Sequence, residues 1–444
     1  MSTLEIYFRD AHCAQIMEDT NGNLKFQYLD SWVEQGRIPV SLTLPLDQTT
    51  YAHEQITSFV ANLLPEGDDL RSRLERLLHI DTKDDFGLLG AIGRESAGAL
   101  SFWPEGESPR DKEQHYSRLS LEDFREWREF AHQQPFQFRG QTFRISLAGA
   151  QAKTALYFDS EDNPYLPEHG APTTHILKPN IEGCLPGTVF TEYLTMKLAT
   201  VVLGREEVPE VDIWQNCYRI RRYDRPRKNE HIRRLHQEDF CLALGRMPAR
   251  KYESEQHSEH LLAACFDLLD QLGHQGLVVA PVMERQRLLN QVILNVLLHN
   301  PDAHLKNYAL MLQNNGMICV TPLYDCLCTY GLNFSANGEV WGQVTGPAAH
   351  TRKMSLRIGG AIAIDAISQQ DWSQFAIECG FTAAFVRRRV RELAKKLGDV
   401  LPHTVESVVA QYPLAERAAN AVRDGVSQQI NMVLNEDPAA GPIT

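Results

Sequence analysis

The chain has 444 residues, 43% of them hydrophobic and 23% charged, with a formal net charge of −13. That composition suits an ordinary globular protein with a sizeable core, arranged as two to three domains or as one two-lobed body with an extra module. The acidic balance argues against a chain that grips nucleic acid by itself, and no apolar run approaches the roughly 18 residues needed to cross a membrane.

Met1 to Glu5 lacks the basic and apolar regions of a signal peptide. The nine cysteines are scattered without a Cys-x-x-Cys, and the closest pair is Cys326 and Cys328. They predict reduced, mostly buried thiols in a cytoplasmic protein rather than a zinc site or a disulfide framework.

In chain order, residues 3–8 and 24–28 predict two strands around the Asn21-Gly22-Asn23 turn. Val40 to Leu46 alternates like an edge strand. Residues 55–80 carry helical spacing through Phe59, Leu63, Leu64, Leu70, Leu74, Leu77 and Leu78. Leu88 to Phe102, punctuated by glycines, predicts a helix-to-strand passage. These form a small α+β module over 1–105, followed by a polar linker at 104–118.

Residues 142–146 and 153–158 predict two strands joined by Leu147 to Ala152. His175 to Lys178 is a further strand, stopped by Pro179, and 189–203 a helix closed by Gly204. Two strands follow over 207–224, with Asn216 at the turn. The run Arg221, Arg222, Arg225, Arg227 and Lys228 is expected to be a solvated basic loop. Beyond residue 235 the helices 258–273, 282–299, 360–378, 382–399 and 413–434 dominate, and the tail 437–442 is expected to be disordered. The whole is α+β: a strand-rich lobe (106–225) preceded by the extra module, then a helical lobe (226–444), an order shared by two-lobed kinase-like folds.

The chemistry concentrates after the 282–299 helix. Phosphoryl transfer needs a carboxylate for the acceptor hydroxyl, oxygen ligands for magnesium on the phosphates, and a cation beside them. Asp302-Ala303-His304-Leu305-Lys306-Asn307 has the Asp-x4-Asn spacing of kinases. A strand over 308–312, the Asn314-Asn315-Gly316 turn and a strand over 318–323 would deliver Asp325 beside Asn307. Asp302 alone reads as an ordinary loop residue; the full order of helix, Asp-x4-Asn, hairpin and Asp reads as catalytic. A rival reading makes His299, Asp302 and His304 a zinc site.

Upstream, Lys178 is a strand-borne lysine of the kind that faces phosphates, with Glu192 as its helix-borne partner; the plainer alternative is a surface ion pair. The loop from Ser146 to Lys153 has small residues that let backbone N–H groups approach phosphate oxygens. It is not a Walker loop, because Leu147 and Ala152 occupy that motif's glycine positions.

Assembled, these residues resemble the HipA family of bacterial serine/threonine kinases, the toxins of HipA–HipB toxin–antitoxin modules. The resemblance rests on Phe143 to Leu156, Thr173 to Lys178, Asp302 to Asn307 with Tyr324-Asp325, Arg222-Tyr223-Asp224-Arg225, Gln237-Glu238-Asp239, and, in the first module, Val40 to Leu46, Asn62 to Pro65 and Gly93 to Ala99.

The resemblance implies Asp302 as the catalytic carboxylate and Asn307 and Asp325 as magnesium ligands. ATP contacts would come from Leu147, Ala148, Gly149, Ala150, Gln151, Ala152, Lys153, Lys178, His304 and Lys306, with Arg221 and Tyr223 at the adenine side. It implies Ser146 as a self-phosphorylated serine that silences the enzyme, and a HipB-like helix-turn-helix antitoxin that carries the operator DNA contacts. Its protein target would be of the aminoacyl-tRNA synthetase kind, such as the glutamyl enzyme, and its effect an arrest of translation and growth. Arg221, where a family toxin has an acidic residue, and Pro301 directly before Asp302 depart from the pattern. The competing functions are a kinase-fold co-repressor that binds without catalysis and a kinase for small molecules.

Overall fold

The computed structural model describes residues 2–36, 38–109, 115–131, 137–138, 141–142, 145–146, 151–181, 184–185, 187–228, 231–253, 259–313, 315–336, 339–341 and 353–435. The chain forms two compact units. One comprises Met1–Pro179, Arg219–Arg250 and Ala309–Cys319, the other Asn180–Tyr218, Lys251–Tyr308 and Val320–Thr444. Among the described residues no helix is long and apolar enough to cross a membrane. All nine cysteines are free, and all but Cys319 are buried.

The first unit opens with a five-stranded sheet in the order Thr50–Tyr51, Leu24–Tyr28, Ala11–Glu18, Ser2–Phe8, Leu100–Pro104. Its apolar face is a core of Ile6, Ile16, Phe26, Tyr28, Phe59, Leu89, Ile92 and Phe102, closed by the helices His53–Asn62 and Asp85–Ile92. The Asn-Gly turn joins the second and third strands, not the first and third. The Ala11–Glu18 strand, absent from the sequence reading, lies between them and pairs with both.

The helical stretch 55–80 is two helices, His53–Asn62 and Asp68–Leu78. Pro65 lies in the break, and Gly67 at φ 89° supplies a backbone that a side chain would resist. Val40 to Leu46 is not a strand. The Ser41 hydroxyl and the Leu42 N–H both donate to buried Glu238 at 2.8 Å, and the Val40 N–H donates to the Tyr28 hydroxyl at 3.0 Å. Side chains take the backbone donors that a ladder would have used.

His115–Arg118, within the supposed linker, is an edge strand. Within the first unit the strand order runs 219–221, His175–Lys178, Thr154–Phe158, Pro164–Glu168, His115–Arg118. The strands predicted at 142–146 and 153–158 do not form a hairpin. Ile145–Ser146 pairs in parallel with Glu95–Ser96, while Thr154–Phe158 pairs with His175–Lys178. A third strand, His236–Asp239, joins the expected hairpin by pairing with Ala309–Leu312.

The basic run is not a solvated loop, because Arg222 and Arg225 are fully buried. Glu95 receives Arg222 at 3.0 Å, Arg225 at 3.2 Å and Arg234 at 2.7 Å. Asp224 receives Arg222 and Arg225 at 2.7 Å each, and also the Gly98 N–H at 3.0 Å. The pattern of charges along the chain could not show this, because one of the two carboxylates lies 127 residues away.

In the second unit the helices Thr188–Leu203, Leu261–His274, Pro281–Leu297, Gln369–Glu378, Ala383–Gln411 and Glu416–Asn435 pack together. The helix predicted over 360–378 begins only at Gln369. Ala361–Ala363 is a strand paired with Lys353–Ile358, and Gly359 at φ 56° turns between them. Arg285 fastens three elements. Its guanidinium meets Asp270 at 2.5 Å and the Cys379 carbonyl at 2.5 Å, and lies 4.5 Å over the Phe381 ring. The tail 437–442 lies outside the described residues.

Against the opposing effect of burial, Arg222 and Arg225 hold Asp224 well below the usual carboxylate range, and Arg225, Arg234 and Arg222 lower Glu95. Carboxylates depressed in the folded state stabilise it fully above about pH 4 and lose that contribution as pH falls through their folded values. Asp224→Ala should therefore lower stability by about 3–5 kcal/mol at neutral pH, since it leaves buried guanidiniums uncompensated. Urea unfolding followed by circular dichroism measures this, and the gap between wild type and variant should narrow below pH 4.

Candidate functional site

The Pro281–Leu297 helix has proline at its first position and buries Leu288, Leu289, Val292, Ile293, Leu294 and Leu297. On the same buried surface it carries two amides. Gln291 donates to the Thr321 carbonyl at 2.7 Å, and Asn295 donates to the Tyr308 hydroxyl at 3.3 Å. At the helix end His299 takes φ 55°, which turns the chain sharply. Pro301 and the 3-10 turn Leu305–Asn307 then carry Asp302 and Asn307.

The second strand of the hairpin ends at Val320, earlier than expected, and an irregular stretch leads to Asp325. Two side-chain amides hold it. Asn307 Nδ2 donates to the Asp325 main-chain carbonyl at 3.3 Å, and Asn300 Nδ2 approaches the same oxygen at 3.5 Å while donating to Asn295 Oδ1 at 2.7 Å. The Tyr324 hydroxyl adds a 2.7 Å bond to the Lys306 carbonyl. The second unit thus brings together Asp302, Asn307 and Asp325.

Their setting is uneven. Asn300, Lys306 and Asn307 are buried, but both carboxylate residues, Asp302 and Asp325, are exposed. A rigid buried frame presents two acidic groups to solvent, the arrangement expected of a site rather than of packing. Asp302's carboxyl is pushed up, first by the protein atoms crowded behind it and then by the negative charge of Asp325; the Ser355 hydroxyl, donating to Oδ1 at 3.2 Å, and Lys251 act the other way. A divalent cation would relieve the repulsion between the two carboxylates. With its Nδ2 committed to Asp325, Asn307 keeps an oxygen for such an ion, and oxygen ligands suit magnesium.

His304 is pulled down to about 3, mainly by desolvation and next by Lys251, so it is neutral at physiological pH. Its ring meets the edge of Tyr252, whereas the His299 ring meets Tyr330. The two histidines serve different neighbours. Among the described residues no three His, Cys, Asp or Glu side chains are arranged to hold a metal, which disfavours the zinc reading.

The remaining expected residues divide between the units. In the second, Glu192 is buried on the Thr188–Leu203 helix. In the first, Lys178 is buried at the end of its strand, Gln151 Nε2 donates to the Pro179 carbonyl at 3.4 Å, and Ala152 and Lys153 are partly buried. Arg221 is exposed, and the Tyr223 hydroxyl donates to Gln237. Ser146 lies in the strand paired with Glu95–Ser96. Leu147, Ala148, Gly149 and Ala150 lie outside the described residues.

Sequence reasoning missed Lys251, Tyr252, Asn295, Asn300 and Ser355. Asn295 and Asn300 could have been suspected, because an amide on an otherwise apolar helix face needs a partner. Ser355 and Lys251 left no local signal.

Comparison with known proteins places these features in context. The family model described as the HipA-like C-terminal domain matches residues 145–401, and that of the HipA N-terminal domain matches residues 4–103. A protein named putative kinase Y4mE from Sinorhizobium fredii is 29% identical over 97% of this chain and 98% of its own. The serine/threonine-protein kinase toxin HipA of Shewanella oneidensis is 31% identical over 73% of this chain and 74% of its own. Among solved structures, the S. oneidensis HipA in complex with HipB and operator DNA superposes with a TM-score of 0.76 at 24% identity, covering 97% of each chain. That likeness bears out the α+β fold class.

Asn300→Ala should remove the donor on which Asn295 Oδ1 and the Asp325 carbonyl converge. The expected loss is about 1–3 kcal/mol of stability, read from the urea midpoint at an unchanged slope.

Proposed function

The chain belongs to the HipA family, and we propose that it is a serine/threonine protein kinase that moves the γ-phosphoryl group of ATP to a protein hydroxyl with magnesium. The observation that carries this reading is the pair of exposed carboxylate residues: Asp325, whose backbone is held by the buried Asn300 and Asn307, and Asp302, whose Oδ1 accepts from the buried Ser355.

In this reading Asp302 orients the acceptor hydroxyl and receives its proton, and Asn307 Oδ1 with the Asp325 carboxylate holds magnesium. Magnesium held there would supply positive charge against the phosphates. Lys178, steadied by Glu192, and the stretch Leu147 to Lys153 would line the phosphates. His304 and Lys306 would lie near them, and Arg221 and Tyr223 would border the adenine. The division into 1–105, 106–225 and 226–444 belongs to the same proposal.

Ser146 is the proposed site of self-phosphorylation. A phosphate there adds a charge of about −1.5 to −2 next to the phosphate-binding loop, which disfavours ATP. The proposed partner is a HipB-like helix-turn-helix antitoxin that takes the operator contacts, in keeping with a net charge of −13 on this chain. The proposed target is a protein of the aminoacyl-tRNA synthetase kind, such as the glutamyl enzyme, whose modification halts translation in the cytoplasm. The exposed acidic pair favours catalysis over a binding-only co-repressor.

Purified protein given ATP and magnesium should incorporate phosphate at Ser146, as mass spectrometry reads. Asp302→Asn should lower the rate by at least about 10²-fold, the scale of a lost general base. Wild-type-like incorporation by Asp302→Asn would falsify the assignment.

A further inference from the structure

Phosphoryl transfer gathers negative charge around the acceptor carboxylate, and some cation must offset it. Lys178 belongs to the first unit. Within the segment Asp302 to Asn307 the obvious candidate, His304, is neutral at physiological pH because burial and nearby positive charge pull it down to about 3.

Lys251 comes from 51 residues before Asp302 and is buried at 7% exposure. Its segment is fastened to the Asp302 loop at two points. The Leu305 N–H donates to the Lys251 carbonyl at 3.2 Å, and the adjacent Tyr252 ring packs edge-on against His304 with centroids 5.3 Å apart. The ammonium lies 5.1 Å from the Tyr252 ring centroid, a contact that limits where the side chain can point. From there its charge acts on both Asp302 and His304. Burying a lysine is costly unless it meets negative charge, and the positive charge of Lys251 favours the ionised form of Asp302.

We propose that Lys251 is a catalytic residue of this site: its ammonium, held against the Asp302 loop by Leu305 and Tyr252, neutralises the γ-phosphoryl group as it passes to the acceptor. This rests on reading Asp302 as the acceptor's carboxylate. In the step, the acceptor oxygen bonds to the γ-phosphorus, the bond from that phosphorus to the bridging oxygen breaks, and ADP leaves with the electron pair. The hydroxyl proton passes to Asp302. Lys251 neither gains nor loses a bond; it faces Asp302 before transfer and the phosphoryl oxygens during it.

The test is the single-turnover rate of self-phosphorylation by the full chain at saturating ATP and magnesium, measured across pH, together with calorimetric affinity for ATP. Lys251→Met should lower the rate by about 10²-fold, as for other lost charge-stabilising groups, with ATP affinity within a few fold of wild type. Its acidic limb should move to higher pH, because Asp302 loses a lowering influence. Lys251→Arg should recover much of the rate and restore the limb. If Lys251→Met does not fold, Lys251→Gln takes its place.

A wild-type rate, or an unmoved acidic limb with a rate loss that merely follows the fraction of folded protein, overturns the proposal. An inactive wild type, or an active Asp302→Asn, would instead sink the underlying kinase reading. Activity lost in Asp302→Asn but kept in Lys251→Met would sink the role of Lys251 alone.

Discussion

One main-chain oxygen, the carbonyl of Asp325, is approached by two side-chain amides, Asn307 at 3.3 Å and Asn300 at 3.5 Å. Everything particular about the site depends on that convergence. Asn300 is itself fixed by Asn295, which projects from the Pro281–Leu297 helix. The Pro281–Leu297 helix is thereby coupled, in two hydrogen bonds, to the backbone at Asp325. The amides meet Asp325 at its carbonyl and not at its carboxylate. Buried polar groups tied in this way fix one arrangement, since any slippage leaves a donor unpaired in a desolvated place.

What the sequence made legible was what is local. Asp302, Asn307 and Asp325 lie within one helix–loop–hairpin passage, and the Asn-Gly turn announces the hairpin. The frame around them is not local. Ser355 reaches Asp302 across 53 positions, and the charge of Lys251, 51 positions earlier, acts on it. Neither residue carries periodicity, spacing or a turn signal. Glycines and prolines marked most boundaries well, but the Ala11–Glu18 strand, lying between two predicted strands, went unrecognised.

The arginines of 222–225 teach the complementary point. A run of positive charge reads as solvated only if no carboxylate arrives from elsewhere. Here Glu95, at 1% exposure, collects three guanidiniums. The strand that carries Glu95 also pairs with Ile145–Ser146, so that short strand lies beside an ion network that joins Glu95 to Arg222, Arg225 and Arg234. Val40 to Leu46 follows the same logic: buried Glu238, whose carboxyl burial pushes up to about 7, claims the donors of a segment that looked like a strand.

Asp325 sits at φ 57°, in the left-handed region. Asparagine, aspartate and glycine tolerate that backbone, whereas β-branched and bulky side chains do so poorly. On the proposed reading of Asp325 as a magnesium ligand, the position passes two filters, one set by its carboxylate and one by its backbone. As the gene drifts, replacements that escape the chemical filter through Asn or Gly would leave the fold untouched and yield a stable, silent protein. Most other replacements would meet the conformational filter as well. Loss of activity at this position and loss of structure are thus separable by genetic route, and an inactive descendant of the chain could persist as a well-folded binding protein.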